Sequence, residues 1–539
     1  MTGPTAVIDP LDGPALALAG RIVTMNANRK VIDDGVVYFA RGGIVAVQER
    51  IKPAPPGFDA AKTVTTGGTI FPGLIELHNH IAYNVLPLWR VPGKFTDRNR
   101  WADLPEKRRK VTAPMAVLAG TPELLPPVAR YVECKCLFGG TTTTQGFGLN
   151  NAGGAVRYYR GLVRNVEQSD DPALPNAGGS IPDVAKKHVD AFFKTLKKSK
   201  CYFLHLSEGT DQKTRQHFLD LKLAAGWAIT DALSGIHATA LKAEDLQVLK
   251  DHGAAVVWSP LSNLLLYGET MEVKAARAKK LPIGLGSDWS VSGSKNLLGE
   301  LKVARLVGTA LGAGFSDADL VAMATSEAAA ILRWQAVLGS LEAGKRADLL
   351  VIREDTKDPY ASLIGAHEID IQLVVINGVP RFGTATLMKK TGFADTEKVS
   401  IGSADRRLHL EQKTADPAVG NISFEAARDT LKDALHKLPE LARKVDAPHG
   451  AVAVDPDRWH IALDQMATGD FTAGVDPGAA GALRQMAALG LGAVPLESLV
   501  SPIALDPPTV ADDSSFLDEI DQQMNLPAYL KSGLRQVYT

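Results

Sequence analysis

Residues 72–80 read PGLIELHNH, a short apolar run that ends in two histidines two positions apart. Side chains along a β-strand alternate between its faces, so His78 and His80 point in the same direction. Two neutral imidazoles on one face suit a divalent metal ion. The pattern alone is equally compatible with two surface histidines at a strand end, and the rest of the chain decides between these interpretations.

Strand-length apolar runs alternate with helix-like stretches from about residue 66 to residue 334. The runs are TIFPGLIEL, TTTTQGF, CYFLHL, SGIHATAL, AAVVWSP and PIGLGSD, with GLVRNVE as a seventh candidate and no evident eighth. Continuous apolar runs are typical of buried parallel strands, and their alternation with helices predicts βα units. A segment of about 270 residues is long enough for a (β/α)8 barrel.

Three further ionisable residues lie at the ends of such runs. His205 follows CYFL, His237 follows SGI, and Asp288 follows IGLGS. The active site of a parallel barrel lies at the carboxyl ends of its strands. We therefore expect these residues to join His78 and His80 in one metal site, although each histidine alone could be a buried structural residue.

Composition limits the classes of function. The chain has 539 residues, of which 45% are apolar and 22% are charged, as expected for a globular protein of two or three domains. Its 59 basic and 60 acidic residues give a net charge of −1, which predicts no nucleic acid or membrane partner. Three cysteines and no apparent signal peptide or membrane span predict a cytoplasmic protein.

The predicted domain organisation has four segments. Strand-rich residues 1–65 and 336–395 are the two parts of a small β-sandwich, and residues 66–335 form the metal-binding barrel. Residues 396–539 form a C-terminal extension without an assigned role. Helical spacing there predicts a largely helical structure and is shown by Phe424, Leu431, Leu435, Leu438 and Leu441.

The motifs PGLIELHNH, HLSE, GIH and GSD, in this order, resemble the amidohydrolase superfamily, and within it the cytosine deaminase and triazine hydrolase branch. The segment GSLEAGKRADLLVI resembles the return to the β-sandwich in those enzymes, and the resemblance covers about residues 16–382. It implies an α/β fold: a TIM-like (β/α)8 barrel plus a β-sandwich built from both flanking segments, followed here by the helical extension.

The resemblance also implies roles for individual residues. His78, His80 and His205 would be metal ligands, and Asp288 would be a fourth ligand that accepts a proton from the attacking water. His237 would lie beside that water or the leaving group. Glu208, in a His-x-x-Glu pattern with His205, would shuttle protons.

The positions of the lysines favour one metal ion over two. Dinuclear relatives use a modified lysine on the fourth strand. The lysines between Glu167 and His205 accompany a helical apolar stripe of Val189, Phe192, Phe193 and Leu196, and they are interpreted as the solvated face of that helix. We therefore expect one divalent metal ion per chain, Zn²⁺ or alternatively Fe²⁺. Imidazole ligands suit both ions.

Substrate contacts are predicted at five positions, where a packing or loop role is an equal alternative: Asn84, Trp89, Gln145, Asn263 and Trp289. The predicted reaction is hydrolysis of a non-peptide carbon–nitrogen bond, foremost deamination of an aminated heterocycle by metal-activated hydroxide. Alternatives are hydrolysis of a cyclic amide, urea or carbamate, dehalogenation, and a non-catalytic structural role. The expected partners are a small-molecule substrate and further copies of the chain in a homo-oligomer.

Overall fold

The structure is a computed structural model, and it describes residues 11, 13–59, 61–102, 104–151, 153–412, 415–446, 458–463 and 494–539. The strands are β1 Leu16–Val23, β2 Val31–Ala40, β3 Gly43–Glu49, β4 Thr63–Pro72, β5 Leu74–Ile75, β6 Thr141–Thr144, β7 Gly148–Asn151, β8 Val156–Tyr158, β9 Arg164–Asn165, β10 Gly178–Ser180, β11 Tyr202–Leu206, β12 Lys222–Leu223, β13 Gly226–Trp227, β14 Leu233–His237, β15 Ala255–Trp258, β16 Ile283–Leu285, β17 Leu349–Arg353, β18 Ile371–Ile376, β19 Val379–Gly383, β20 Glu397–Ile401, β21 Ala404–Leu408 and β22 Trp459–Ala462.

The α-helices span Arg98–Ala102, Pro105–Lys107, Ala113–Gly120, Leu125–Phe138, Val189–Leu196, Gln212–Leu219, Ala243–Asp251, Pro260–Tyr267, Val273–Ala278, Leu297–Ala310, Asp317–Met323, Ser326–Ile331, Pro359–Gly365, Ala385–Lys390, Phe424–His436, Leu438–Asp446, Phe516–Asp521 and Ala528–Tyr538. Shorter 3₁₀ turns include Ile81–Val85 and Lys186–His188. The described part of the chain contains no helix that is both long enough and apolar enough to cross a membrane.

Both flanking segments contribute to one nine-stranded sheet, in the order β20-β21-β19-β18-β17-β4-β1-β2-β3. β4 joins the two flanks, because it pairs parallel with β1 and antiparallel with β17. Alternate residues of these strands are buried in one apolar cluster, which includes Leu18, Ile70 and Val351. The strands β20 and β21 follow residue 395, so the sheet also includes the first residues of the predicted extension.

The central strands are parallel and fall into two sheets, β5-β6-β9 and β10-β11-β14-β15-β16. Backbone hydrogen bonds connect the edges of these sheets: Ala177 N–H donates to Val166 O (2.8 Å), and Leu77 N–H donates to Leu285 O (3.0 Å). The seventh run, GLVRNVE, contains β9. The strand that the sequence did not reveal is β10, whose residues are Gly-Gly-Ser and carry no apolar signal.

Helices of the C-terminal region pack on the central part of the chain. Ser423 caps the helix Phe424–His436 by accepting the N–H of Ala426. The ring of Phe424 stacks on Tyr131 and meets Phe138 edge-on, at centroid distances of 5.6 and 5.2 Å. The helical spacing in this region therefore corresponds to a buried stripe of side chains.

Candidate metal centre

The five residues predicted to form the metal site meet at the carboxyl ends of the central strands. His78 and His80 follow β5, His205 lies in β11, His237 ends β14, and Asp288 follows β16. Asp288 Oδ1 lies 3.2 Å from His78 Nε2 and 3.5 Å from His80 Nε2. His205 Nε2 lies 3.3 Å from His80 Nε2. The ring centroids of His237 and His78 are 5.1 Å apart.

Two overlapping sets of donor atoms could hold a metal ion in the described residues. One set is His78, His205 and His237, and the other is His78, His80 and Asp288. Burial lowers the pKa of His205 well below its usual value and that of His237 to about 3. Both imidazoles are therefore neutral at pH 7, and the position of their single proton decides which nitrogen can bind a metal.

Gln145 fixes the tautomer of His78. Its Oε1 lies 2.9 Å from His78 Nδ1 and also accepts the backbone N–H of Asn79 at 3.1 Å. Because a backbone N–H can only donate, the Gln145 atom at this point is the amide oxygen, and His78 Nδ1 must carry the proton. His78 Nε2 then presents a lone pair. It is buried and makes no hydrogen bond to the described residues, which leaves its lone pair suited to bind a metal ion.

A chain of three hydrogen bonds fixes the opposite tautomer in His237. The indole N–H of Trp258 donates to Thr270 Oγ1 (2.8 Å), and the Thr270 hydroxyl donates to Asn263 Oδ1 (3.2 Å). This orients the Asn263 amide so that Nδ2 donates to His237 Nδ1 at 3.1 Å. A neutral His237 therefore carries its proton on Nε2, and that nitrogen is a hydrogen-bond donor rather than a metal ligand.

Asp288 is held against the first strand by backbone and side-chain contacts. Its N–H donates to His78 O (3.0 Å), and the His80 N–H donates to Asp288 O (2.6 Å). This close approach requires Gly286, where an added Cβ would lie 2.4 Å from His78 Cβ. Asp288 itself has a left-handed backbone with φ of 68°, a strained conformation typical of functional sites.

The carboxylate of Asp288 is charged despite its burial. Burial raises the pKa of the carboxyl, but the surrounding histidines, when they are protonated, outweigh this effect and lower the pKa overall. Ser262 donates its hydroxyl to Oδ2 at 2.5 Å, while Oδ1 faces the two histidines of the first strand. One carboxylate oxygen is thus left for a cation.

Glu208 lies beside His237 in a buried polar cluster. Its Oε1 is 3.8 Å from His237 Nε2 and accepts the Tyr267 hydroxyl at 2.6 Å, while Trp101 donates its indole N–H to Tyr267 Oη. Arg98 Nη1 lies 3.8 Å from Oε2. Burial raises the pKa of Glu208, and Arg98 offsets part of that rise. A carboxyl group of raised pKa can exchange protons near neutral pH.

The residues predicted to contact substrate lie in four different environments. Gln145 and Asn263 lie behind His78 and His237 as described, and Asn84 is bonded to Asn79 Oδ1 and to the Ser290 N–H. Trp289 packs edge-on to His80, with ring centroids 5.5 Å apart. Trp89 is buried, and its indole N–H makes no hydrogen bond within the described residues. Direct contact of these five residues with substrate stays a prediction.

One buried side chain beside the site was not anticipated from the sequence. Glu76, to which the sequence assigned no chemistry, accepts the N–H of Ser287 (3.1 Å), the Nδ2 of Asn79 (2.9 Å) and the hydroxyl of Thr144 (3.1 Å). It ties the first strand to the loop that carries Asp288. The sequence could have indicated this role, because Glu76 is an acidic residue within an apolar run. A carboxyl group buried there needs several hydrogen-bond donors.

Comparisons with known proteins relate part of the chain to one family. The model of the amidohydrolase family matches residues 204–380. A 5-methylthioadenosine/S-adenosylhomocysteine deaminase of Symbiobacterium thermophilum is 24% identical over 404 residues, covering 67% of this chain and 89% of that protein. An S-triazine hydrolase of Gordonia rubripertincta is 28% identical over 153 residues, covering 27% of this chain and 31% of that protein.

The structural comparison extends the likeness to the fold. The crystal structure of an adenosine deaminase from Xanthomonas campestris with bound zinc superposes with a TM-score of 0.54 at 20% sequence identity, covering 69% of this chain and 93% of the other. The family match includes the motifs at residues 205–208, 235–237 and 286–288. Over residues 204–380 the chain is therefore similar to the amidohydrolase family.

Proposed function

We propose that this protein is a metal-dependent deaminase of an aminated heterocycle, with one divalent ion, Zn²⁺ or alternatively Fe²⁺, held by His78, His80, His205 and Asp288. The observation that carries the proposal is the opposite tautomers of His78 and His237. One buried imidazole presents a lone pair, and its neighbour presents an N–H. A metal ion at these ligands would lower the pKa of a coordinated water and supply a nucleophile at neutral pH.

The remaining residues have complementary roles in proton transfer. Asp288, whose pKa is lowered, accepts one proton of the attacking water, and Glu208, whose pKa is raised, protonates the ring nitrogen. Asp288 then passes its proton to the amino group, which leaves as ammonia, and Glu208 regains a proton from the added hydroxyl as the carbonyl forms. His237 Nε2–H donates a hydrogen bond to the oxygen that is being added to the ring carbon. Water and an amino-substituted ring carbon are thereby converted to a ring carbonyl and ammonia.

The aromatic side chains favour a planar substrate. Trp289 lies between His80 and Tyr83, at centroid distances of 5.5 and 5.3 Å, and Trp101 lies 6.2 Å from Trp289. Flat apolar rings beside the metal site suit a heteroaromatic base. The names of the relatives, deaminases of adenine-containing compounds and a triazine hydrolase, support the same class. Hydrolysis of a cyclic amide, urea or carbamate, or dehalogenation, would use the same ligands.

We also propose that the central strands form a closed barrel. The two parallel sheets, linked by the bonds of Ala177 to Val166 and of Leu77 to Leu285, are consistent with eight strands closed into a (β/α)8 barrel. The nine-stranded sheet would be the β-sandwich built from both flanks. We further propose domain limits at about residues 65, 335 and 395, a cytoplasmic location and a homo-oligomeric state.

The test combines metal content with ammonia release. Protein purified without added metal is expected to contain about one Zn or Fe per chain by mass spectrometry, and to release ammonia from aminopurines or aminotriazines. The variant His205→Ala is the control, and it should lose both metal and turnover. Two metal ions per chain would contradict the single-metal site, and full metal content in His205→Ala would contradict the ligand assignment.

A further inference from the structure

The C-terminal part of the chain contacts the loop that follows the first two histidines. We call residues 81–95 the active-site loop and residues 506–525 the C-terminal clamp. The family match ends at residue 380, so the clamp lies outside it. Its contacts are with the backbone of the loop, and they come from the side chains of Gln523 and Asn525 and from the backbone N–H of Asp506.

Gln523 makes the most complete of these contacts. It is 1% exposed, its Nε2 donates to Trp89 O (3.1 Å), and its Oε1 accepts the Val91 N–H (3.2 Å). Both ends of one amide therefore pair with backbone groups two residues apart, as a neighbouring strand would. The N–H of Trp89 donates to Val291 O (2.7 Å), so this part of the loop is held from two sides.

Asn525 and Asp506 hold the two ends of the loop. Asn525 Nδ2 donates to Gly93 O (2.9 Å) and to Leu265 O (2.7 Å), which joins the loop to the helix that carries Asn263. The Asp506 N–H donates to Val85 O (3.0 Å). Its carboxylate, 1% exposed, lies between Lys135 Nζ (2.5 Å) and Lys295 Nζ (2.6 Å).

The loop held in this way forms part of the site. Tyr83 packs against Trp289, which in turn packs against His80. The chain then continues to Arg98, whose N–H donates to Glu208 O (3.2 Å), and to Trp101, which is bonded to Tyr267. A displacement of the loop would therefore alter the packing of Tyr83 and Trp289, while the proposed metal ligands, which lie on strands or within a few residues of a strand end, stay in place.

We propose that the C-terminal clamp positions the active-site loop and thereby determines which substrates the site accepts, with Gln523 as the principal positioning residue. The part that concerns substrates rests on the proposed function. Gln523 contacts neither the predicted ligands nor Glu208 in the interactions described, so its effect is on substrate binding rather than on the chemical step. Positioning a loop through a distant segment restricts its motion without adding a group to the site.

The test uses the full-length metal-loaded protein and the variant Gln523→Leu, which keeps the side-chain size and removes both hydrogen bonds. The matched control is Gln522→Leu, because Gln522 is the exposed neighbour of the same residue type. Amide hydrogen exchange of residues 84–95 should accelerate by about tenfold or more in Gln523→Leu, as expected for two lost hydrogen bonds, and remain unchanged in Gln522→Leu.

The second part of the test measures KM and kcat with a heterocycle from which the wild type releases ammonia. Gln523→Leu should raise KM by about tenfold with kcat within about twofold of the wild type. If Gln523→Leu does not fold, Asn525→Ala, which releases Gly93 from Leu265, should show the same two effects. Unchanged exchange of the loop, or faster exchange with unchanged KM, would overturn the proposal. Absence of ammonia release by the wild type would instead refute the proposed function, and the exchange experiment would still test the clamp.

Discussion

Replacement of Asn263 by aspartate tests whether the tautomer of His237 matters for turnover. The two side chains have nearly the same shape, and the carboxylate can still accept the hydroxyl of Thr270. The atom 3.1 Å from His237 Nδ1 changes from a donor to an acceptor. The imidazole proton then moves to Nδ1, and Nε2 faces Glu208 and the reaction centre with a lone pair instead of an N–H.

The expected loss follows from this one displaced proton. Removing an oriented donor from a buried reaction centre costs about 10²–10³-fold in kcat, and a catalytic histidine in the wrong tautomer has cost about 10⁴-fold. We therefore expect kcat of Asn263→Asp to fall by about 10²–10⁴-fold, measured as ammonia release at about pH 8. The metal content should stay unchanged, because His237 is not a ligand in the proposed site.

Two results would refute this reasoning. A kcat within about threefold of the wild type would mean that the Nε2–H of His237 does not act in the reaction. Loss of the metal would mean that His237 is a ligand, as the alternative donor set with His78 and His205 allows. Thr270→Ser, which keeps the hydroxyl of the relay, is the control, and Thr270→Val should lose activity in the same direction as Asn263→Asp.

Three further predictions concern other parts of the site and its supporting helix. Gln145→Leu should weaken metal binding by about 10–100-fold in a chelator competition, because the proton on His78 Nδ1 loses its acceptor, and unchanged affinity would contradict that role. Glu208→Gln should retain the metal and lower kcat by about 10²–10⁴-fold, whereas wild-type ammonia release would show that Glu208 carries no proton. Burial raises the pKa of Glu300 from 4.5 to about 8. Since the folded state then holds a proton that the unfolded state has lost, the free energy of unfolding should fall by about 1.4 kcal/mol per pH unit as pH rises from about 5 to 7. Urea unfolding of Glu300→Gln should show a shallower pH dependence, and parallel pH curves for the two proteins would contradict the raised pKa.

The sequence located the donor residues because their signals are local. His78, His80, His205, His237 and Asp288 each follow a buried apolar run, and the carboxyl ends of parallel strands meet at one edge. The strand β10 escaped notice because Gly178–Ser180 has no apolar residue, and its place is set by pairing with β11. The β-sheet propensity of a segment carries little information where pairing with a neighbouring strand determines that the segment is a strand.

The roles of Gln145 and Asn263 show the limit of such local patterns. Both were predicted as substrate contacts, Gln145 because it ends a strand-like run and Asn263 because the residues SPLSN resemble an element of the deaminase branch. The structure places Gln145 against the ring of His78, 67 residues earlier in the chain, and Asn263 against His237, 26 residues earlier. Their hydrogen bonds determine where a proton resides, and a sequence does not show the direction of a hydrogen bond between distant side chains.

The sequence by itself determined most of the central strands, the order of the candidate ligands along the chain, the amidohydrolase resemblance and the chemistry of the donor set. These depend on side-chain type and on short-range periodicity. Only the tertiary structure decided the tautomers of His78 and His237, the burial that raises the pKa of Glu208, and the contact of Gln523 with a loop 432 residues away. Proton positions, desolvation and loop restraint all arise from groups brought together by folding, and none of them is a property of a segment alone.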